Sequence, residues 1–259
     1  MTSKTVLEGL TVLNTRPSHL ALETSQTIEA MGGRVSHIPS LVIQTLHINR
    51  NHLTAQVNRS DIILFCSRNA VVDSVISSIQ QALQTKPQIK IGAIGLATAQ
   101  ALHDAGIIEV FFPRDHHSEG LLARPELRLV QDKHILLIKG QDGRQLLANE
   151  LRSQGAKLDE LIVYKRLLPN MSQQQCHRLW QQQPVDIVIG MSQESINNLF
   201  ILFGKTGKPW LINTPWLLWS HRLDKVARHL GIKQFVVADN NDIFQTLVNW
   251  AQRKVPRNG

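Results

Sequence analysis

Short runs of apolar residues alternate along the chain with segments in which apolar residues return every three or four positions. Most of the short runs are apolar on both faces, which is typical of strands buried between two layers of helices. The intervening segments have the spacing of amphipathic helices and tend to stop at a glycine. Strand–helix alternation predicts parallel, doubly wound sheets. The predicted strands are TVLNT (11–15), DIILF (61–65), KIGAIG (90–95), EVFFP (109–113), HILLI (134–138), DIVIG (186–190), PWLLW (215–219) and QFVVA (234–238).

The pattern occurs twice. DIILFCSRNAVV (61–72) aligns without gaps with DIVIGMSQESIN (186–197), at an offset of 125 residues. The same offset carries EVFFP onto QFVVA, and an offset of 123 places VLNTR (12–16) over LLIK (136–139). Because one register is kept across several elements, the sequence indicates a duplication and predicts two similar α/β domains.

Two segments depart from the alternation. RVSHIPSLVIQTL (34–46) and KLDELIVYKRLLP (157–169) are long and extended, and they occupy equivalent places in the two repeats. We interpret them as the strands that pass between the domains. A chain of 259 residues is long enough for about two domains.

The charge of the chain narrows the possible partners. Lys and Arg exceed Asp and Glu by 28 to 20, and a net charge of +8 favours a polyanion as partner. A basic helix and an aromatic pattern for stacking bases are both missing from the sequence, so nucleic acid is not expected.

We expect no membrane span, because the apolar runs are too short, and no export signal. Two cysteines without zinc spacing favour a reducing compartment, the cytoplasm. We expect a monomer, because the sequence leaves no obvious exposed apolar strip.

Candidate binding residues follow the predicted strands. Ligands of parallel sheets bind where the strands end and helices begin, and helix N-termini there favour anions. Hydroxyls could instead only cap helices, and glycines could only form turns. KGQDGR (139–144) lacks the spacing of a P-loop, and no cluster of metal-ligating residues is evident. The candidates are Arg16, Ser67, Asn69, Thr98, Lys139, Gly140, Gly143, Arg144, Ser192, Ser220 and Arg222.

The order of several short motifs resembles the uroporphyrinogen-III synthase family over about residues 11 to 250. The motifs are TRP (15–17), DIILFCSRNAV (61–71), AIGLATAQAL (93–102), FFPRDHHSEGLL (111–122), LLIKGQDGR (136–144) and VYKR (163–166). The resemblance implies two flavodoxin-like α/β domains joined by a two-stranded β-ladder. Domain 1 would be 1–36 with 170–259, the ladder 37–46 with 159–169, and domain 2 would be 47–158. The residues alone equally allow two consecutive halves.

The resemblance also implies an activity. The family cyclises hydroxymethylbilane, a linear tetrapyrrole, with loss of water and inversion of the last ring, and it needs no cofactor or metal. Tyr164 matches the tyrosine of the family's V-Y-R motif and is the candidate acid, although it could instead only pack at the ladder. Thr98 matches the threonine of a G-x-x-T-A turn. Lys139 stands where the family often has arginine. The first alternative is a non-catalytic module of the same fold that binds a polyanion or tetrapyrrole. The second, less favoured, is a nucleic-acid-binding protein, which would also explain the net charge of +8.

Overall fold

A computed structural model describes residues 6–115, 118–143, 145–182, 184–240 and 242–254. The chain divides into two compact units: unit 1 combines Met1–Val42 with Leu167–Gly259, and unit 2 is the continuous stretch Ile43–Arg166. The finer division into two domains and a ladder, with boundaries at 36, 46, 158 and 170, stays a prediction.

Eleven strands and ten helices alternate through the described residues. The strands are β1 (Thr11–Asn14), β2 (Arg34–His37), β3 (Val42–Thr45), β4 (Ile62–Phe65), β5 (Lys90–Ala93), β6 (Val110–Phe111), β7 (His134–Gly140), β8 (Lys157–Leu167), β9 (Ile187–Gly190), β10 (Trp216–Leu218) and β11 (Phe235–Val237). The helices are α1 (Ser18–Ala30), α2 (Arg50–Arg59), α3 (Asp73–Thr85), α4 (Leu96–Asp104), α5 (Ser118–Leu122), α6 (Leu146–Ser153), α7 (Gln173–Gln182), α8 (Gln193–Asn213), α9 (Asp224–Leu230) and α10 (Ile243–Lys254).

Unit 1 is built on a five-stranded sheet in the order β11-β10-β9-β1-β2, in which all pairs are parallel. Neighbouring residues of a strand enter different cores: Val12 packs with Ile187 in one, and Leu13 packs with Val188 in the other. The sheet is therefore buried on both faces, as its continuous apolar strands predict.

Unit 2 is built on a six-stranded sheet in the order β3-β8-β7-β4-β5-β6. The strands from β8 to β6 are parallel. β3 lies beside β8, where the Leu46 N–H donates to the Val163 carbonyl over 2.9 Å. The apolar residues of β4 again divide between two cores, with Ile63 and Phe65 in one and Ile62 and Leu64 in the other.

The two sheets share one register. Trp216 lies opposite Val188 in unit 1, and Ile91 lies opposite Ile63 in unit 2, each residue 125 positions from its counterpart. The glycines that follow α4 and α9, Gly106 and Gly231, have φ angles of +84° and +82° and the same offset. Because β4 to β8 correspond to β9, β10, β11, β1 and β2, the repeat is circularly permuted. The predicted duplication is confirmed in the backbone.

The first of the two extended segments is not one strand. It is divided into β2, in the sheet of unit 1, and β3, in the sheet of unit 2. The break contains Pro39, which has no N–H to donate to a neighbouring strand. The next residue, Ser40, is buried, and its N–H and its hydroxyl both donate to the Thr15 carbonyl, over 3.0 and 2.8 Å. The second segment is the single long strand β8.

Candidate functional site

The candidate residues of unit 2 lie at the carboxyl edge of its sheet, where the parallel strands end. Ser67 follows β4 in extended conformation and precedes a 3₁₀ turn, Arg68–Ala70. The Ser67 hydroxyl is 2.9 Å from the hydroxyl of Tyr164 on β8. Either oxygen can donate in this contact, so the two residues form a hydroxyl pair in which the hydrogen bond can run in either direction.

A β-bulge sets the position of Tyr164. Lys139 lies opposite Ile162 but the next residue, Gly140, lies opposite Tyr164, so that Val163 is an extra residue in β8. The Tyr164 carbonyl then accepts the Gln141 N–H over 2.9 Å. Bulges re-aim side chains at the ends of strands. Here the bulge brings the tyrosine, only 3% exposed, to the end of β7.

Gly140 is the surface on which the Tyr164 ring packs. A Cβ added at Gly140 would lie 2.5 Å from Cζ of Tyr164, closer than van der Waals contact allows. Gly143, the second glycine of the turn, has a similar relation to the stem of Lys139, whose Cε would lie 3.1 Å from an added Cβ. The first glycine of KGQDGR therefore accommodates an aromatic ring, and the second accommodates a lysine stem. Arg144 lies outside the described residues.

The ammonium of Lys139 is held by the protein itself. The residue is 1% exposed, and its Nζ donates to Oε2 of Glu160 over 2.9 Å. The other oxygen, Oε1, accepts from the Arg152 guanidinium over 2.7 Å. Burial by itself raises the pKa of the Glu160 carboxyl, but the hydrogen bonds and positive charges of Lys139 and Arg152 outweigh it and lower that pKa below its ordinary value. Glu160 and Arg152 are not among the site residues predicted from the sequence, because the sequence alone does not give the register that brings them to Lys139.

Thr98 and Asn69 lie at the same edge. Thr98 is buried in the first turn of α4, and its N–H donates to the Gly95 carbonyl over 3.1 Å. Asn69 lies half-buried in the 3₁₀ turn after Ser67. α4 and this turn are packed against each other, so Thr98 and Ser67 belong to neighbouring segments.

Cys66 precedes Ser67 and carries a free thiol. Burial raises its pKa to about 12, although the charge of Lys139 acts in the opposite direction. The thiol is therefore protonated, and unreactive as a nucleophile, at neutral pH.

Arg16 follows β1 at the carboxyl edge of the unit 1 sheet. Its guanidinium donates to the Thr24 hydroxyl over 2.9 Å, and its carbonyl is 2.8 Å from Nε2 of His37. The neighbouring Thr15 is fully buried and donates to the Ile189 carbonyl over 2.6 Å. These bonds connect the end of β1 to the ends of β2 and β9.

The serines of unit 1 differ in what their hydroxyls do. Ser192 caps α8: its hydroxyl accepts the Ser195 N–H over 3.1 Å, and the Ser195 hydroxyl accepts the Ser192 N–H over 2.9 Å. The capping interpretation is thus confirmed for Ser192, whereas Ser67 is engaged with Tyr164. Ser220 lines a cavity of about 480 Å³ with His221, Ala238, Asp239 and Asn240. Arg222 is exposed in the turn that follows Ser220.

The structure thus brings Ser67, Gly140 and Tyr164 into contact, with Thr98 and Gly143 at the same edge of unit 2. Arg16, Ser192, Ser220 and Arg222 lie at the carboxyl edge of the sheet of unit 1. Within the described ranges, no group of three or more His, Cys, Asp or Glu residues could hold a metal ion. None of the helices in those ranges has the length and apolar run needed to cross a membrane.

Fold and site together define a class: a duplicated, doubly wound α/β protein whose sheet edges present hydroxyls, glycine turns and basic groups. Residues 23–247 match the family model described as uroporphyrinogen-III synthase HemD. The chain belongs to the uroporphyrinogen-III synthase family.

Named relatives agree with the family assignment. The uroporphyrinogen-III synthase of Escherichia coli (strain K12) is 30% identical over 238 residues, which cover 90% of this chain and 96% of that protein. The enzyme of the same name from Salmonella typhimurium (strain LT2) is 27% identical with the same coverage.

Solved structures agree with the fold. A mutant uroporphyrinogen III synthase from the extremely thermophilic bacterium Thermus thermophilus superposes with a TM-score of 0.60 at 18% identity, covering 95% of this chain and 100% of that one. Uroporphyrinogen-III synthetase from Helicobacter pylori 26695 gives 0.60 at 14% identity, covering 93% and 99%. At these identities the likeness concerns the fold, and it matches the two α/β units described above.

Proposed function

We propose that this chain cyclises hydroxymethylbilane to uroporphyrinogen III, with loss of water and inversion of the last pyrrole ring, as a lyase of tetrapyrrole biosynthesis. The family assignment and the 30% identity to the Escherichia coli synthase support this reaction. The observation that carries the proposal for the site is the hydroxyl pair of Ser67 and Tyr164, 2.9 Å apart at a strand end.

The substrate is a flexible chain of four pyrroles, each with an acetate and a propionate group. A protein that binds it has to neutralise many carboxylates, and a net charge of +8 suits that requirement. Hydroxyls, exposed amides and guanidinium groups at helix starts are good carboxylate receptors. We assign this role to the candidate residues predicted from the sequence, namely Arg16, Ser67, Asn69, Gly140, Gly143, Arg144, Ser192, Ser220 and Arg222. We also propose Lys139 as a substrate-binding residue, although its ammonium group already forms an ion pair with Glu160.

Tyr164 is the proposed acid. A hydroxyl is a poor leaving group, and a proton delivered to it lets the hydroxymethyl carbon lose water and become an electrophilic azafulvene. The phenol is almost fully buried and touches the half-buried Ser67, so the proton reaches the substrate either from the phenol or through the serine. When the macrocycle closes, the attacking ring loses a proton, and the phenol is restored. Thr98, in the adjacent segment, is proposed to hold the reacting end.

The rest of the catalysis is positional. Without an enzyme the linear tetrapyrrole closes to the uninverted isomer, because the unsubstituted end carbon of the last ring attacks the azafulvene. Inversion requires attack by the substituted carbon, formation of a spiro intermediate, and its fragmentation and reclosure. Holding the carboxylates of each ring at fixed receptors raises the effective concentration of the productive geometry.

Further proposals concern the location, the oligomeric state and the partners of the protein. We propose that the protein works in the cytoplasm as a monomer, binds no nucleic acid, and uses neither cofactor nor metal. We also propose that residues 1–36 with 170–259, and residues 47–158, are the two functional domains.

The reaction is tested by incubating the protein with freshly prepared hydroxymethylbilane, oxidising the products to porphyrins and separating the type I and type III isomers. A catalytic excess of type III over a protein-free control supports the enzyme. Type I alone at the spontaneous rate would refute it, and tetrapyrrole binding without turnover would then indicate a binding module.

A further inference from the structure

One carboxylate holds both sides of the glycine turn that follows β7. Oε2 of Glu160 accepts from Lys139, in the strand that leads into the turn, and Oε1 accepts from Arg152, in the helix that leaves it. Glu160 itself lies on the neighbouring strand β8, four residues before Tyr164. A single side chain therefore links β7, β8 and α6.

The arrangement is an inefficient way to gain stability. Lys139 is 1% exposed and the Glu160 side chain 21%, so both charges have lost most of their water. Replacing such a pair by apolar residues is often neutral or stabilising, because desolvation consumes much of the attraction. What charged groups add is geometric definition, since a carboxylate with one donor on each oxygen fixes the directions of both partners.

The contacts of the turn show what is being fixed. The stem of Lys139 lies against Gly143, and the strand that carries Glu160 presents the Tyr164 ring to Gly140. A displacement of α6 or of the end of β7 would therefore move both glycines relative to the phenol.

We infer that Glu160 is a positioning residue: it clamps Lys139 and Arg152 and so holds the Gly140–Gly143 turn at a fixed distance from the Ser67–Tyr164 pair. It touches neither substrate nor reacting atoms. The inference rests on the proposed function, because it assigns the clamp to the binding of substrate carboxylates at that turn.

The chain provides a matched control. Glu126 accepts from Arg124 over 2.7 Å, the same distance as between Glu160 and Arg152, and its side chain is 23% exposed. Glu126 lies in the 3₁₀ turn Pro125–Leu127, which precedes the amino end of β7, whereas the glycine turn follows the carboxyl end of that strand. Glu126→Gln removes an ion pair of similar burial in the same unit, away from the turn.

The test compares Glu160→Gln, Arg152→Gln and Glu126→Gln. We expect the first two to raise KM for hydroxymethylbilane by about ten- to hundredfold and to lower the share of type III product, since small displacements in a site have effects of that size. The double variant of Glu160 and Arg152 should be no worse than Glu160→Gln alone, because both changes release one clamp. Glu126→Gln should keep the KM and the isomer ratio. Since Glu160→Gln leaves a buried lysine unpaired, Arg152→Gln provides the folded variant if the first one fails to fold.

Amide hydrogen exchange of Gln141–Gly143 provides a readout that does not depend on turnover. Faster exchange in Glu160→Gln and Arg152→Gln, but not in Glu126→Gln, is the expected result. Unchanged exchange, or a KM and isomer ratio equal to those of the wild type in a folded variant, would overturn the inference. If the wild-type protein makes no excess of type III, the proposed function fails, whereas the exchange experiment still decides whether the clamp exists.

Discussion

The hydroxyl of Ser67 lies 2.9 Å from the hydroxyl of Tyr164, although 97 residues separate them in the chain. Ser67 follows the central strand β4, and Tyr164 reaches the same point from β8, two strands away, because of the bulge at Val163. The contact is the one place, among the described residues, where two candidate residues of the site touch through polar atoms that can exchange a proton.

Removal of the phenol hydroxyl is the first prediction. Tyr164→Phe keeps the ring on Gly140 but takes away the proposed acid, so kcat should fall by about a hundredfold or more while KM changes little. Steady-state kinetics with isomer separation measures both. Ser67→Ala serves as the partner variant: if the proton passes through the pair, the double variant should lose little more than Tyr164→Phe. Near-normal turnover of Tyr164→Phe would remove Tyr164 from the mechanism.

The second prediction concerns a methyl group added at Gly140, beneath the Tyr164 ring. Gly140→Ala places a Cβ 2.5 Å from the Tyr164 ring, and Gly92→Ala places one 2.5 Å from the Phe111 ring, in the middle of β5. Both should lower the free energy of unfolding by about 1–3 kcal/mol, as overpacking does. Only Gly140→Ala should also reduce kcat per folded molecule, because it displaces the phenol. Urea denaturation and active-site kinetics on the two variants separate these effects; equal kcat values would contradict the prediction.

The two serines at the start of α8 provide a third prediction. Ser192→Ala and Ser195→Ala both break the reciprocal cap and should each cost about 1 kcal/mol of stability. Ser192 is exposed and Ser195 is buried, so only Ser192→Ala removes a hydroxyl that a substrate carboxylate can reach. We expect KM to rise for Ser192→Ala alone. If the two variants have the same KM, Ser192 is a helix cap and nothing more.

The fourth concerns the thiol of Cys66 at alkaline pH. Its pKa rises from 9.0 to about 12 on folding, so the unfolded chain loses the proton first. The stability that this group contributes is complete below pH 9.0 and is lost as the pH rises towards 12. Urea unfolding of wild type and Cys66→Ala at about pH 8 and about pH 10 should show the wild type losing more stability. A pH-independent difference between them would show that the thiol has the same pKa in both states.

The fifth concerns Glu160 at acid pH. Its pKa is lowered from 4.5, so the folded protein holds the carboxylate where the unfolded chain would protonate it. The contribution is present above pH 4.5 and is lost as the pH falls through the lower, folded value. The stability advantage of wild type over Glu160→Gln should therefore shrink on acidification, as followed by urea unfolding midpoints. An advantage that stays constant from neutral to acid pH would argue against the charged pair.

Much of the fold could be predicted because the chain repeats a simple physical pattern. DIILF and DIVIG are apolar after their first residue, and β4 and β9 are buried on both faces, as strands between helical layers must be. Gly106 and Gly231 stop their helices with positive φ, a conformation that glycine adopts without strain. The interruption at Pro39 and Ser40 was harder to predict, because RVSHIPSLVIQTL is extended on both sides of it and belongs to two sheets.

The site was predicted only as a set of strand ends. The sequence places Ser67 after one strand and Gly140 after another, and the parallel topology puts both at one edge. The contact between Ser67 and Tyr164, and the capture of Lys139 by Glu160, depend on the register between β7 and β8, which shifts by one residue at Gly140. Apolar periodicity carries no signal for such a shift, since Val163 and Tyr164 both belong to the same core. The buried lysine in ILLIKG was the available sign that a carboxylate had to lie nearby.

The discontinuity of unit 1 has a consequence for synthesis on the ribosome. Unit 2 is one stretch, Ile43–Arg166, and all its strands are available as soon as that stretch has emerged. The central strand β1 is made first, yet its neighbour β9 begins only at Ile187, so Val12 and Leu13 wait for these partners while about 175 further residues are added. At common elongation rates that delay is about 9–35 s. During this time the nascent chain carries the complete unit 2 and a hydrophobic strand, β1, with one edge unpaired, and exposed strand edges of this kind are prone to aggregation.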